Sequence, residues 1–227
     1  FVVARQILGS TRSGALVAVV YMLSDTFWSQ AIIIEVYSLA VLMFLMTWLL
    51  VMGFVRTGAQ RYWYGAAFCA GLGLANHWPL MILSAPALIV SLYPVRQAAF
   101  AMCLAPGRLL ASIACFGAGL APYLTLLIDA NPTIAVFGPV RSFEDLFGYI
   151  ARRTYDDSHE GAAFFDKFRY AGWLLAEALR QFGMLLAPFV LLGAVISVRR
   201  VPGHMALALV LMFVGSTLVL ALLIGFR

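Results

Sequence analysis

Two stretches, residues 37–55 and 207–224, run without a single charged side chain. Each is close to the ~20 residues that a helix needs to cross a bilayer. Inside lipid every backbone N–H and C=O must be paired within the protein, so a spanning segment is either an α-helix or part of a closed barrel. A barrel strand alternates apolar and polar residues over about ten positions. These runs are continuous, so the prediction is α-helix. Composition agrees: 63% of residues are hydrophobic and 11% charged, and mean hydropathy is +0.96. A soluble domain has too little interior to hide that much apolar surface. The expected fold is all-α, a polytopic transmembrane helical bundle with short helices and one ordered outer loop.

Seven candidate spans of uneven length follow: residues 14–23, 31–55, 62–75, 79–93, 109–128, 184–198 and 205–224. Residues 62–93 would form one helix of about 48 Å at 1.5 Å per residue, too long without a steep tilt. Pro79 also breaks it, because proline lacks an N–H and disfavours helical geometry at Trp78. Charge sorting favours a hairpin turning at Asn76–Trp78. With the hairpin, one side holds Arg5, Arg12, Arg56, Arg61, Arg96, Arg108, Arg199 and Arg200 and no acid. The other side holds all ten carboxylates, from Asp25 and Glu35 to Asp166 and Glu177. Cytoplasmic loops collect arginine and lysine, so the arginine side is predicted cytoplasmic. Fourteen of the fifteen basic residues are arginine and only Lys167 is lysine. With abundant Ala, Gly, Leu and Val, that usage points to a GC-rich bacterial genome, so the expected location is a bacterial inner (cytoplasmic) membrane, with the charge sorting putting the outer loop on the periplasmic or extracellular side.

Residues 129–167 are the one substantial extramembrane segment, carrying Pro132, Pro139 and mixed charge. Phe168, Ala171, Leu175, Ala178, Leu179 and Phe182 then form a stripe that suits an amphipathic helix in the interface. Residues 129–183 are thus an outer loop and interfacial helix within a single transmembrane domain, 1–227. The chain opens on Phe1 with no signal-peptide pattern, which reads as a fragment of a longer chain. Cys69, Cys103 and Cys115 lack any CxxC spacing and read as small buried hydrophobes. The net charge of +5 is sorted by loop, so membrane lipid is the expected partner and nucleic acid is not.

Ionisable residues at membrane depth are functional suspects. In helical register Asp25, Trp28, Ile32 and Glu35 lie close to one face. Glu35 and Asp25 are candidate catalytic carboxylates, or else solvated helix ends, Ser24 and Asp25 both being suited to capping. Asn76 and His77 would stand at a buried vertex. His77 either acts on a phosphate or proton or closes the vertex on free backbone groups; a metal site at a lone histidine is rejected. Arg152 and Arg153, with Tyr155, could fork onto a phosphate or pair with Asp156, Asp157 or Glu160. His159 and His204 are assigned no role. Gly65, Gly71 and Gly73 read as close helix packing rather than a phosphate loop.

Ser24-Asp-Thr-Phe-Trp-Ser-Gln, the Glu35-Val-Tyr-Ser-Leu39 run, Gly71-Leu-Gly-Leu-Ala-Asn-His77, and the loop from Asn131-Pro132 through Ser142-Phe143 to Arg152-Arg153-x-Tyr155 resemble a bacterial membrane family related to protein O-mannosyltransferases. Its members are type-C glycosyltransferases (GT-C fold). The resemblance implies transfer of a sugar from a polyprenyl-phosphate donor to an acceptor on the outer face. Trp28, Glu35, Tyr37, Asn76 and His77 would line the pocket, and Arg152, Arg153 and Tyr155 would contact the donor from the loop. The family's acidic motif, in its first outer loop before a His-Pro-Pro-Gly-like stretch, is absent from this sequence. The expected catalytic base therefore lies outside the chain. Asp25 or Glu35 could assist or hold a divalent cation, the one candidate cofactor. The alternative is a non-catalytic structural subunit of a larger membrane complex, with other membrane proteins as partners.

Overall fold

The computed structural model describes residues 1–32, 36–128, 140–151, 164–181 and 187–219. Among these the secondary structure is helical throughout. The elements are α1 (Val2–Leu8), α2 (Thr11–Met22), α3 (Asp25–Ile32), α4 (Tyr37–Thr57), α5 (Gln60–Ser91), α6 (Arg96–Leu104), α7 (Pro106–Leu120), α8 (Thr125–Ile128), α9 (Phe143–Ile150), α10 (Phe164–Arg180), α11 (Ala187–Arg200) and α12 (Gly203–Phe213). A π-helical stretch, Val214–Val219, extends α12. By length and composition three helices can cross a membrane: α4, α5 and the run Pro106–Ile128. The bent pair of α2 and α3, at 59°, makes a fourth if it is one span.

Length alone misjudges α5. Its 32 residues are interrupted at His77, whose φ −153° and ψ 86° are not helical. On either side of that residue the chain reverses. Tyr62, Trp63 and Tyr64 from its start pack with Leu92 and Val95, which follow its end, around Phe54 and Met102. In a straight helix, residues 63 and 92 would stand roughly 44 Å apart. A Cβ on Gly73 would meet the Met81 sulfur at 2.7 Å, a contact that only a folded-back pair of arms permits. The hairpin expected from Pro79 and the charge sorting is therefore present. Its arms, residues 60–76 and 78–91, are roughly 25 and 21 Å long, short of the ~30 Å hydrocarbon core.

Both arms pack on α4, α7 lies along the first arm and α12 along the second. The shared core is Phe44, Trp48, Met52, Met81, Ala87 and Ala208. In lipid, such packing relies on close approach and on polar pairs, and both are present. A Cβ on Gly71 would collide with the Phe116 carbonyl, and one on Gly119 with the Phe68 carbonyl, so the first arm and α7 meet backbone to backbone. This matches the packing role read for Gly71. The Trp48 indole donates to Ser91 Oγ at 3.0 Å and the Trp63 indole to Ser112 Oγ at 2.9 Å; each serine in turn donates to a carbonyl one turn back, Ala87 and Arg108.

Several expectations are revised. The segment 129–167 is not simply a loop: it contains α9 and the first turn of α10. The sequence does carry the signal for α9, a capping box in which Ser142 Oγ accepts from Asp145 N–H while Asp145 accepts from the Ser142 N–H. The amphipathic helix is present as α10. Cysteine burial is corrected: Cys69 and Cys115 are half-buried and Cys103 is exposed. Cys103 lies on the short helix α6 and lines an open cleft with Phe100 and Leu207.

A polar recess at the turn of the hairpin

Residues 76–78 are placed by what surrounds the turn. Pro79 removes the donor that the Ala75 carbonyl would have used, and the break at His77 opens the helical ladder beside it. The Tyr123 hydroxyl, reached because Pro122 ends α7 one turn earlier, donates to the Leu74 carbonyl at 3.0 Å. The Asn76 side-chain amide donates to the Val36 carbonyl at 2.9 Å, tying the turn to the residue just before α4. Tyr37, the next residue, sets its ring 5.2 Å from the His77 imidazole in an edge-on arrangement. The start of α4 and the turn of α5 are thus joined.

Around the turn lies a recess of about 210 Å³, walled by Asn76, His77, Trp78, Pro122, Tyr123, Tyr149 and Ile150. At ~30 Å³ per water this is room for a small polar group rather than a chain. Two apolar cavities flank it. One, of about 750 Å³, shares Trp78, Tyr123 and Ile150 with the recess and runs down α7 past Phe116 and Leu120. The other, of about 640 Å³, begins at Tyr37 and runs between α2, α3 and α11. The Gln30 side-chain oxygen in its wall is buried and accepts no hydrogen bond from a described residue. A polar recess that shares a wall with an apolar channel suits an amphiphile, with its head at the turn and its tail between helices.

Of the residues singled out in the sequence, the structure brings Tyr37, Asn76 and His77 together. Asp25 and Trp28 lie on the outward side of α3: both are exposed and line neither the recess nor the cavities, into which α3 sends Thr26, Phe27 and Gln30. The cap of α3 belongs to Ser24, whose hydroxyl accepts from the Phe27 N–H at 3.3 Å. Glu35, Arg152, Arg153 and Tyr155 lie outside the described residues. Among the described residues no three His, Cys, Asp or Glu side chains converge where a metal ion could bind. Sequence reasoning missed Tyr123 and Tyr149. Tyr123 follows a proline at a span end, and Tyr149 sits on the capped helix α9. In that helix the Asp145 carboxyl is held below the ordinary aspartate range, chiefly by the Arg141 N–H, then by Ser142.

Residues 3–100 match the family described as the protein O-mannosyl-transferase TMEM260 N-terminal domain. No curated protein and no solved structure matches the chain. The matched segment holds α1 to α5, and with them Tyr37, Asn76 and His77, but takes in less than half of the 227 residues. Over that segment this membrane protein is similar to the N-terminal domain of a protein O-mannosyltransferase family.

Proposed function

We propose that the chain carries the membrane core of a glycosyltransferase that moves a sugar from a polyprenyl-phosphate donor to an acceptor at the hairpin end of the bundle. One observation carries this reading: the hairpin turn of the segment similar to an O-mannosyltransferase domain, Asn76, His77 and Trp78, forms one wall of a polar recess beside an apolar channel, and Pro122, Tyr123, Tyr149 and Ile150 from beyond that segment close it. The channel suits a polyprenyl tail and the recess suits the phosphate and sugar. Asn76 and His77 supply polar contacts there, and Trp28, Arg152, Arg153 and Tyr155 are proposed donor contacts. Transfer requires a base to deprotonate the acceptor hydroxyl and positive or hydrogen-bonding groups to stabilise the departing lipid phosphate. Glu35 and Asp25 are the proposed carboxylates, and a divalent cation at either is tested by chelation.

The test is transfer of radiolabelled sugar from polyprenyl phosphate by the full-length protein in membranes. His77→Gln and Glu35→Gln are each expected to lower the rate at least about tenfold, ~1.4 kcal/mol of barrier. Transfer at the wild-type rate by both variants defeats the reading. A second reading, a non-catalytic subunit of a membrane complex, is favoured by one fact: no described Asp or Glu lines the recess. Isolation in fixed stoichiometry with other membrane proteins, with no transfer activity, would select it.

A further inference from the structure

At the end of the bundle away from the recess, a cleft of about 650 Å³ opens between the end of the second α5 arm, α6 and the start of α12. Its walls are apolar and uncovered: Ile89 is 68% and Phe100 64% exposed, with Leu92 and Leu207 beside them. Its cationic side chain is Arg96, and His204 stands across from it on α12. The Arg96 guanidinium lies 4.8 Å over the Tyr93 ring and donates to the Tyr93 carbonyl at 3.4 Å. It has no carboxylate partner among the described residues, whose ion pairs are Arg169–Asp166 and Arg180–Glu177, both on α10. The sequence has no Asp or Glu from residue 36 to 128 or after Glu177. The helix ends gathered here carry Arg56, Arg61, Arg108, Arg199 and Arg200, none of which is in an ion pair among the described residues. The helix α12 starts here without a side-chain cap.

An open apolar cleft edged by an unneutralised guanidinium matches an amphiphile whose head is a phosphate with net negative charge. We propose that this cleft binds one anionic glycerophospholipid from the leaflet at the arginine-rich end. Its phosphate sits on Arg96 and His204 and an acyl chain lies along Leu92, Phe100 and Leu207. Arginine forks pair with phosphate oxygens, and the surrounding arginines disfavour the ammonium of a zwitterionic headgroup. The cleft stands a full hairpin arm, roughly 21 Å, from the Asn76–Trp78 turn. Its occupant is therefore not the molecule that the recess would take, and the assignment holds whether or not the recess transfers sugar.

Native mass spectrometry of the full-length protein, titrated in detergent with phosphatidylglycerol or phosphatidylcholine of identical acyl chains, tests it. The wild-type protein is expected to retain phosphatidylglycerol about fivefold better, the factor typical of one basic residue near an anionic lipid. Arg96→Gln is expected to abolish that preference. Arg108→Gln, at the same end but outside the cleft, should change it less than about twofold. Leu207→Trp fills the cleft with every charge intact and should lower phosphatidylglycerol retention. Leu207 is 49% exposed, so this change does not share a folding risk with the arginine variant. Equal retention of the two lipids by the wild type, equal losses from Arg96→Gln and Arg108→Gln, or full retention by Leu207→Trp would each overturn the assignment.

Discussion

Asn76 ties the recess together with a single hydrogen bond. Its amide satisfies the Val36 carbonyl, a backbone acceptor at the start of α4. Asn76→Leu keeps the volume and removes the donor, so the start of α4 should loosen from the turn. The expected cost is about 0.6–2 kcal/mol, the range for polar pairs within membranes, read as a lowered Tm in detergent. Asp145 gives a pH prediction outside the spans. Its carboxyl is held low by the Arg141 N–H first and by Ser142 next. A group depressed in the folded state stabilises at pH above its unfolded value and loses that contribution as pH falls through its folded value. The start of α9 should therefore stay ordered at neutral pH and loosen only on strong acidification. Carboxyl ¹³C titration of labelled protein should place Asp145 below the other aspartates, and Ser142→Ala should move it upward. An unshifted Asp145 would mean that the capping box does not hold in solution.

At the scale of elements, close helix approach is the feature most open to test. Gly71 and Gly119 let the first α5 arm touch α7, and a Cβ at either would strike a carbonyl of the other helix. Gly117, on the same α7, has open space where its Cβ would lie. Gly71→Leu should thus cost at least the ~1–3 kcal/mol of an overpacked core, while Gly117→Leu should be near neutral; thermal melts in detergent compare them. The part played by Gly71 was legible in the sequence because three glycines, Gly65, Gly71 and Gly73, fall on one short helix; Gly119 on the facing helix was not. The hairpin was legible too, since Pro79 interrupts a run too long to be one span and the arginines demand a reversal. The recess walls were not. Tyr123 and Tyr149 come from elements 26 residues apart in sequence, and only the three-dimensional path of the chain brings both to Asn76. Helical spacing likewise places residues on a face but does not say which face turns inward. Phe27 and Gln30 take the inward face of α3, and Asp25 is left outside.

For the whole molecule, one relation organises everything else: arginine helix ends gather at one pole and the hairpin turn at the other. The core contacts fix this independently of charge. Trp63 meets Ser112 and Leu92 near the arginine pole, and Tyr37 meets His77 at the opposite pole. The packing therefore requires residues 58–59 and 105–107 to share one side of the membrane, and Ser142, at the start of the helix whose Tyr149 walls the recess, to lie on the other. The charge rule adds that the arginine side is cytoplasmic. Single cysteines at Gly58, Gly107 and Ser142, in a background with Cys69, Cys103 and Cys115 changed to alanine, separate the two statements. An impermeant maleimide applied to intact cells should label position 142 alone, and permeabilisation should add 58 and 107. Labelling of 58 and 107 alone in intact cells would leave the packing intact but reverse the orientation. Labelling of 58 and 107 on opposite sides would mean that α5 crosses the membrane once, and with the hairpin gone there would be no recess at its turn for a sugar to enter.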